Sequence, residues 1–255
     1  MGLKQFVPAP VRECLRPLKD PVRAFLGWIL RVKSGDRVLS GPFAGMAFHY
    51  PQQEYAMLLG TWELELTSTW ETILSQDYKL MVDVGAAEGY YAVGMAYRKP
   101  GAEVVAFEME DRVRENLGIL NGLNDAGLDI RGKCEVADLE AFGQKLEGAF
   151  ILMDVEGYET VLLDPGKVPA LKKATILVEL HDMYAEGCTE LLAERFKCTH
   201  KIKKIEGVPR IPRHFSEAAG MVKVLFSERR ALGYMDEGRP SEMSWYFMDP
   251  TEGEG

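Results

Sequence analysis

Five short apolar runs between residues 80 and 180 each close on an acid. Asp83 sits in VDVGAAEG, Glu108 in VVAFEME, Asp138 in VAD, Asp154 in FILMDVEG and Glu179 in ILVELHD. If these runs are strands of one parallel sheet, the five carboxylates reach the edge at which ligands of such sheets bind. Carboxylates gathered in a partly buried place repel one another unless a cation or hydrogen-bond donors satisfy them. Any one of them could cap the helix that follows, because acids are favoured near helix N-termini. Capping does not require an acid after every strand, so the set points to a ligand that is cationic or rich in hydroxyl and amine donors.

The turn Asp83-Val84-Gly85-Ala86-Ala87-Glu88-Gly89 narrows that ligand. Gly85 and Gly89 let backbone approach a bound molecule closely. A dinucleotide fingerprint would read G-x-G-x-x-G; here Ala87 interrupts it and no third glycine follows in register. Glu88 in the turn would repel a pyrophosphate. Glu108 lies about 20 residues beyond the turn, where a carboxylate commonly holds ribose hydroxyls. A ribose-bearing ligand with positive charge and no pyrophosphate has the chemistry of S-adenosyl-L-methionine.

The elements that must position these residues follow from periodicity. Strands are expected at Leu80–Val84, Val104–Phe107, Ile130–Ala137, Ala149–Met153 and Thr175–Leu180. Between them Tyr91, Ala92 and Met95, then Val113, Leu117 and Leu120, recur at helical spacing. Alternation of fully apolar strands with helices implies a parallel sheet covered on both faces, most economically a doubly wound α/β domain. That domain is expected over residues 76–255, with residues 1–75 as a helical and hairpin extension packed on it. In the extension Val22, Phe25, Leu26, Ile29 and Leu30 form a helical stripe. The stripe reads as a core-facing side; the alternative is a basic amphipathic helix making weak peripheral contact with an anionic membrane, or with a partner. Gly35–Tyr50 reads as a hairpin, and helical spacing returns over Glu54–Leu74.

The chain of 255 residues is 47% hydrophobic and 27% charged, the balance of an ordinary globular protein. Its net charge of −9 disfavours nucleic acid, although residues 1–37 hold eight Lys and Arg against three acids and are +5. Cys14, Cys134, Cys188 and Cys198 are too dispersed for a zinc ribbon, a redox pair or a disulfide framework. No apolar run nears the roughly 20 residues that span a bilayer. Charges interrupt any secretory leader, and Phe6 breaks the myristoylation pattern, so a cytoplasmic location is expected.

VDVGAAEGYYAVGMA, VVAFEME and ILMDVEGYETVLL…ILVELHD, with GTWELEL upstream and MDEGRP late in the chain, resemble the FkbM-like branch of class I S-adenosylmethionine-dependent methyltransferases. The resemblance runs from about Gly41 to His181. It implies a seven-stranded sheet whose last strand is antiparallel, the late pair coming from around Thr199–Ile205 and Ser244–Met248. It implies that Asp83, Gly85, Ala86 and Gly89 surround the methionine part of the cofactor. Glu108 would hold the ribose and Met109 the adenine, with Ala137 and Asp138 at the adenine amine and Asp154 where the methyl group meets the acceptor. Glu88 stands where the family more often has Asn; it would serve the cofactor's amino group or cap the next helix. The implied activity is O-methylation of a hydroxyl on a sugar, glycan or other small molecule.

A hydroxyl acceptor needs a base within hydrogen-bond reach. Asp154, Glu156 and His181 are the candidates, and two acids flanking His181 could raise its pKa. A divalent ion on Asp154, Glu179 and Asp182 would suit oxygen chemistry, but the spacing does not call for one and no metal is expected. His49, His200 and His214 read as structural. His214, Phe215, Arg229, Arg230, Arg239 and Trp245 read as a solvated helix face, with a substrate lid as the alternative. A nicotinamide-dependent oxidoreductase and a non-catalytic binding module stay open as rival functions.

Overall fold

The computed structural model describes residues 20–49, 55–215, 217–239 and 243–251. Cys14, the basic residues before Asp20, Tyr50, Pro240 and the acidic tail at 252–255 lie outside these. In chain order the helices are α1 (Pro21–Ser34), α2 (Tyr55–Leu59), α3 (Thr67–Ser75), α4 (Tyr90–Arg98), α5 (Asp111–Leu123), α6 (Val136–Ala141), α7 (Glu159–Leu162), α8 (Cys188–Phe196) and α9 (Glu228–Met235). The strands are β1 (Leu80–Val84), β2 (Glu103–Phe107), β3 (Asp129–Arg131), β4 (Phe150–Met153), β5 (Thr175–Glu179), β6 (His200–Glu206) and β7 (Ser244–Pro250).

The chain groups into two compact units, one of residues 1–62 with 210–237, the other of 63–209 with 238–255. The division therefore differs from the expected one at residue 75: α3 belongs to the sheet-bearing unit, where Trp70 packs edge-on against Phe150 of β4 at 5.7 Å. Residues 210–237 leave that unit and return to the first.

In the first unit Asp20 caps α1, its Oδ1 accepting the Arg23 N–H at 2.8 Å; Pro21 opens the helix and a left-handed Gly35 ends it. Leu26, Gly27 and Leu30 are buried. Tyr55 of α2 stacks obliquely on Tyr234 of α9 at 4.6 Å, and the Arg23 guanidinium lies over the Tyr234 ring. The hairpin expected at 35–50 is reduced to one antiparallel bridge, Arg37 to Ala47. Its centre is a tight turn in which Gly45 N–H reaches Val38 O and the side chains of Val38, Phe43 and Met46 are buried instead of pairing into a ladder.

The second unit is a single seven-stranded sheet in the order β3-β2-β1-β4-β5-β7-β6, parallel from β3 through β5 and antiparallel at β7. This is the doubly wound, mostly parallel sheet with a reversed last strand that the motifs imply. Strands β1, β4 and β5 are buried at every residue, which is why they read as unbroken apolar runs. On one face Val82, Val84, Ile151, Met153, Ile176 and Val178 join Leu139, Leu162, Leu192 and Phe196 in one core. Residues of opposite parity, Met81 and Asp83 among them, face the other side. The third strand is shorter than expected, ending at Arg131; Gly132 and Lys133 turn the chain, and Val136–Ala141 is helix. A segment of mixed polarity carried no period long enough to separate a short edge strand from the helix that follows it.

Candidate functional site

The order of the sheet reverses between β1 and β4, neighbours in space but not in sequence, and a crevice opens outside their carboxyl ends. Its volume is ≈ 550 Å³, within the range of small-molecule sites. The floor is the turn after β1. Gly85 and Ala86 both donate their N–H to Phe107 O at 2.9 Å, and Asp154 N–H donates to Val84 O at 2.9 Å. Gly85 has φ +90°, and a Cβ there would overlap the Asp154 carbonyl oxygen, so this position tolerates no side chain. Gly89, at φ +93°, precedes α4, and a Cβ there would meet the Leu117 side chain. Glu88, the residue before Gly89, lines the crevice.

Glu108 fastens the two lips together. One carboxylate oxygen accepts the Ala87 N–H at 3.0 Å and the other the Glu110 N–H at 2.8 Å. Met109 is exposed beside it. Five acids line the crevice, Glu88, Glu108, Glu110, Asp154 and Glu156, against Lys133 as its one basic residue. The acidic edge is thus present, but only Glu108 and Asp154 of the expected five strand-end acids belong to its wall.

The other three are placed elsewhere, for physical reasons. Asp83 lies on the opposite face of β1, buried beneath the turn, and neither of its oxygens has a well-formed hydrogen bond. Burial, then the nearby Glu108, pushes its pKa up to about 7, and the Ala92 amide offsets this in part. Asp138 sits in the first turn of α6, accepting the Glu135 N–H at 2.8 Å. It is a capping residue, and neither it nor Ala137 lines the crevice. Lys133 and Cys134, directly after β3, do, together with Phe107, Val113, Tyr158 and Leu162. Burial pushes the Cys134 thiol up to about 12, so it is an inert wall. Tyr158 donates its hydroxyl to Glu135 at 2.8 Å with Lys133 over its ring.

Glu179 belongs to a buried charge network behind Asp154. His181, 3% exposed, has Nδ1 2.7 Å from Glu159, and Nε2 3.3 Å from Glu179 and 3.6 Å from Asp154. Arg239 donates to Glu179 and to Glu63, and Tyr91 donates to Glu63. Burial alone would lower the His181 pKa; the carboxylates of Glu159 and Glu179 outweigh it and lift the group to about 10. Both ring nitrogens of His181 thus face carboxylates, which favour its protonated form. The Asp154 pKa is raised as well: burial, then the charge of Glu179 and a hydrogen bond with it, lifts it well above the ordinary carboxylate range, while one edge still reaches the crevice. Glu156 is exposed on the lip in a left-handed conformation, φ +50°.

Glu159 was not anticipated. It is wholly buried, accepts the N–H groups of Val155 and Gly157 at 2.9 and 2.7 Å, and so shapes the loop that carries Asp154 and Glu156. Its sequence signal is the last acid of Asp154-Val155-Glu156-Gly157-Tyr158-Glu159. Asp154, Glu159 and His181 offer atoms close enough together to hold a metal ion, and Glu159 and His181 are hydrogen-bonded to each other. Asp182 accepts the Thr189 N–H at 3.1 Å at the start of α8. Of the late residues, Trp245 is buried in β7 and Arg239 in the charge network, whereas Arg229 and Arg230 are exposed, so no single solvated face contains them. His200 is a core residue, its Nε2 2.8 Å from Ala174 O.

No family model matches the chain, and no curated protein is similar to it. Some solved structures are similar to it at low identity. One is an O-methyltransferase from Bacillus cereus in complex with SAH, at 11% identity and TM-score 0.45 over 89% of this chain and 91% of that one. A SAM-dependent O-methyltransferase from Thermotoga maritima is similar at 10% and 0.45 over 82% and 68%. The Methanococcus jannaschii fibrillarin pre-rRNA processing protein is similar at 10% and 0.44 over 69% of each. At these identities the likeness is one of chain trace alone. Fold and crevice together define a doubly wound α/β protein with an acid-lined ligand site at the strand carboxyl ends. Among the described residues no helix is long and apolar enough to cross a membrane.

Proposed function

We propose that the chain is an S-adenosyl-L-methionine-dependent methyltransferase of the FkbM-like branch, acting on a hydroxyl of a sugar, glycan or other small molecule. The observation that carries this reading is the wall of five carboxylates around a glycine turn at the β1–β4 reversal. Such a wall suits a sulfonium, an ammonium and ribose hydroxyls, and repels a pyrophosphate. The strand order also departs from the 3-2-1-4-5-6 of dinucleotide-binding sheets through the insertion of antiparallel β7.

The residues present fit the cofactor. Glu108 would hold the ribose hydroxyls, Gly85 gives the close approach a side chain would block, and the unpartnered Asp83 carboxylate beneath the turn would balance the ammonium. Met109, Cys134 and Tyr158 would flank the adenine. When bound, the cofactor supplies an electrophilic methyl group. The chain's own residues then orient the acceptor and take its proton. Asp154, which lines the crevice beside the glycine turn, would accept that proton. His181 holds Asp154 in place through Nε2, and Glu156 stands on the lip as the second acceptor of a proton.

Calorimetric titration with S-adenosylhomocysteine and, separately, NADH tests the cofactor assignment. Binding of the first and not the second is expected; the reverse result would overturn it. Transfer of label from methyl-labelled cofactor to a panel of hydroxylated acceptors tests the activity, and binding without transfer to any of them would favour the non-catalytic module.

A further inference from the structure

We propose that the first unit carries a membrane-docking face, formed by α1 and residues 217–225, that lies on a bilayer surface rich in anionic lipid. The helix α1 has two apolar sides. Leu26, Gly27 and Leu30 are buried, while Phe25, Trp28 and Val32 are 57%, 59% and 63% exposed on the opposite side. At about 100° per residue, Val22, Phe25, Trp28, Ile29 and Val32 span an arc of roughly 120° centred away from the buried side. Phe25 and Trp28 stack at 6.0 Å, presenting one continuous aromatic surface. The sequence stripe therefore mixed two faces: only part of it faces the core.

Residues 217–225 pack beside α1, with Gly220 against the Lys33 side chain. There Met221 is 89% and Val224 77% exposed. Large apolar side chains left in water on two adjoining elements mark an interaction surface and not scattered surface residues.

Charge identifies the occupant. The span of α1 contains no acid, and Arg31 and Lys33 project from the two margins of the exposed arc. Lys223 adds a third cation between Met221 and Val224. Thirteen Lys and Arg against eight acids make the first unit +5 in a chain of −9. A second copy would bring like-charged margins together. An anionic headgroup layer complements them, while Trp and Phe enter the boundary with the acyl chains and the lysine stems follow the apolar surface up to the headgroups. The inference is independent of the methyl-transfer reading, because none of these residues belongs to the crevice.

The test is co-sedimentation of the full chain with vesicles of phosphatidylcholine alone and of phosphatidylcholine mixed with phosphatidylglycerol, with tryptophan emission recorded in parallel. Of the four tryptophans, Trp70 and Trp245 are buried and Trp62 is half-buried, so a blue shift is assigned to Trp28 by its loss in Trp28→Ser/Met221→Ser. Binding to the anionic vesicles, with a blue shift and little binding to the neutral ones, is expected. Trp28→Ser/Met221→Ser and Lys33→Glu/Lys223→Glu should each lower partitioning by about tenfold or more. These side chains are exposed, and unchanged circular dichroism and urea midpoints would show the fold intact. Equal binding to both vesicle types, binding to neither, or undiminished binding by the variants would overturn the proposal. So would a solution dimer of the wild type that Trp28→Ser/Met221→Ser dissolves, since the face would then belong to a second copy.

Discussion

His181 Nδ1 lies 2.7 Å from Glu159 Oε1, a contact between the loop after β5 and the first turn of α7 with both side chains out of solvent. Removing one member of a buried charge pair leaves the other uncompensated, at a cost of about 3–5 kcal/mol. Glu159 also accepts two backbone N–H groups, which Glu159→Ala would strand. Urea denaturation of Glu159→Ala is expected to show a loss of that size. A loss under about 1 kcal/mol would mean that water replaces the carboxylate without penalty.

The same pair makes stability depend on pH in a defined direction. The His181 pKa rises from 6.5 to about 10 on folding, so its contribution is fully present below pH 6.5 and is lost as pH climbs towards 10. The amount at stake is on the order of 3 kcal/mol. Urea midpoints of the wild type should fall across that window more steeply than those of His181→Asn. Parallel slopes would show that His181 does not gain its proton through folding.

Asp83 acts with the opposite consequence for the ligand-free chain. Its pKa rises from 3.8 to about 7, so ionisation is opposed by the fold and the chain loses stability as pH rises from 3.8 through 7. Asp83→Asn, which cannot ionise, should stabilise the free protein at pH 8 by about 1–3 kcal/mol and weaken S-adenosylhomocysteine binding. Thermal melts with and without the ligand measure both effects. A variant less stable than wild type at pH 8 would show that the carboxylate has a partner after all.

Gly85 and Gly143 both have positive φ, but only Gly85 faces backbone. Gly143→Ala meets nothing within 4 Å and should cost about 1 kcal/mol. Gly85→Ala must displace the Asp154 carbonyl as well, and a cost of about 3 kcal/mol or more is expected, as for overpacked sites. Equal denaturation midpoints for the two variants would show that the β1 turn and the β4 loop can separate freely.

Legibility followed the physics of each signal. Strands β1, β4 and β5 are buried on both faces, so their composition alone marked them, and the acids at their ends were found with them. Edge strand β3 has no such run, and extending it to Ala137 made Asp138 a strand-end acid, whereas it lies in α6 and Lys133 and Cys134 line the crevice. Contacts between distant residues leave no local signal: Glu63, Glu179 and Arg239 stand in the separate segments GTWELEL, ILVELHD and MDEGRP. The acids flanking His181 in sequence do not show that Glu159, 22 residues upstream, is the partner of its Nδ1.

Glu108 and Asp154 provide the sharpest separation of roles, since both line the crevice and only one is proposed to touch the acceptor. Glu108→Ala should weaken S-adenosylhomocysteine binding by about 1–3 kcal/mol, the loss of a charged hydrogen-bond partner. Because Glu108 also fastens Ala87 and Glu110, Glu108→Gln is the necessary companion. It keeps an acceptor for one lip but removes the charge, so binding intermediate between wild type and Ala is expected. Asp154→Asn should leave that affinity nearly unchanged and slow methyl transfer by about 10²-fold or more, the usual contribution of a positioned base. Calorimetry and single-turnover rates on the three variants read the two effects separately. If Asp154→Asn loses affinity as fully as Glu108→Ala, then Asp154 serves the cofactor, and Glu156 becomes the group to test as the proton acceptor.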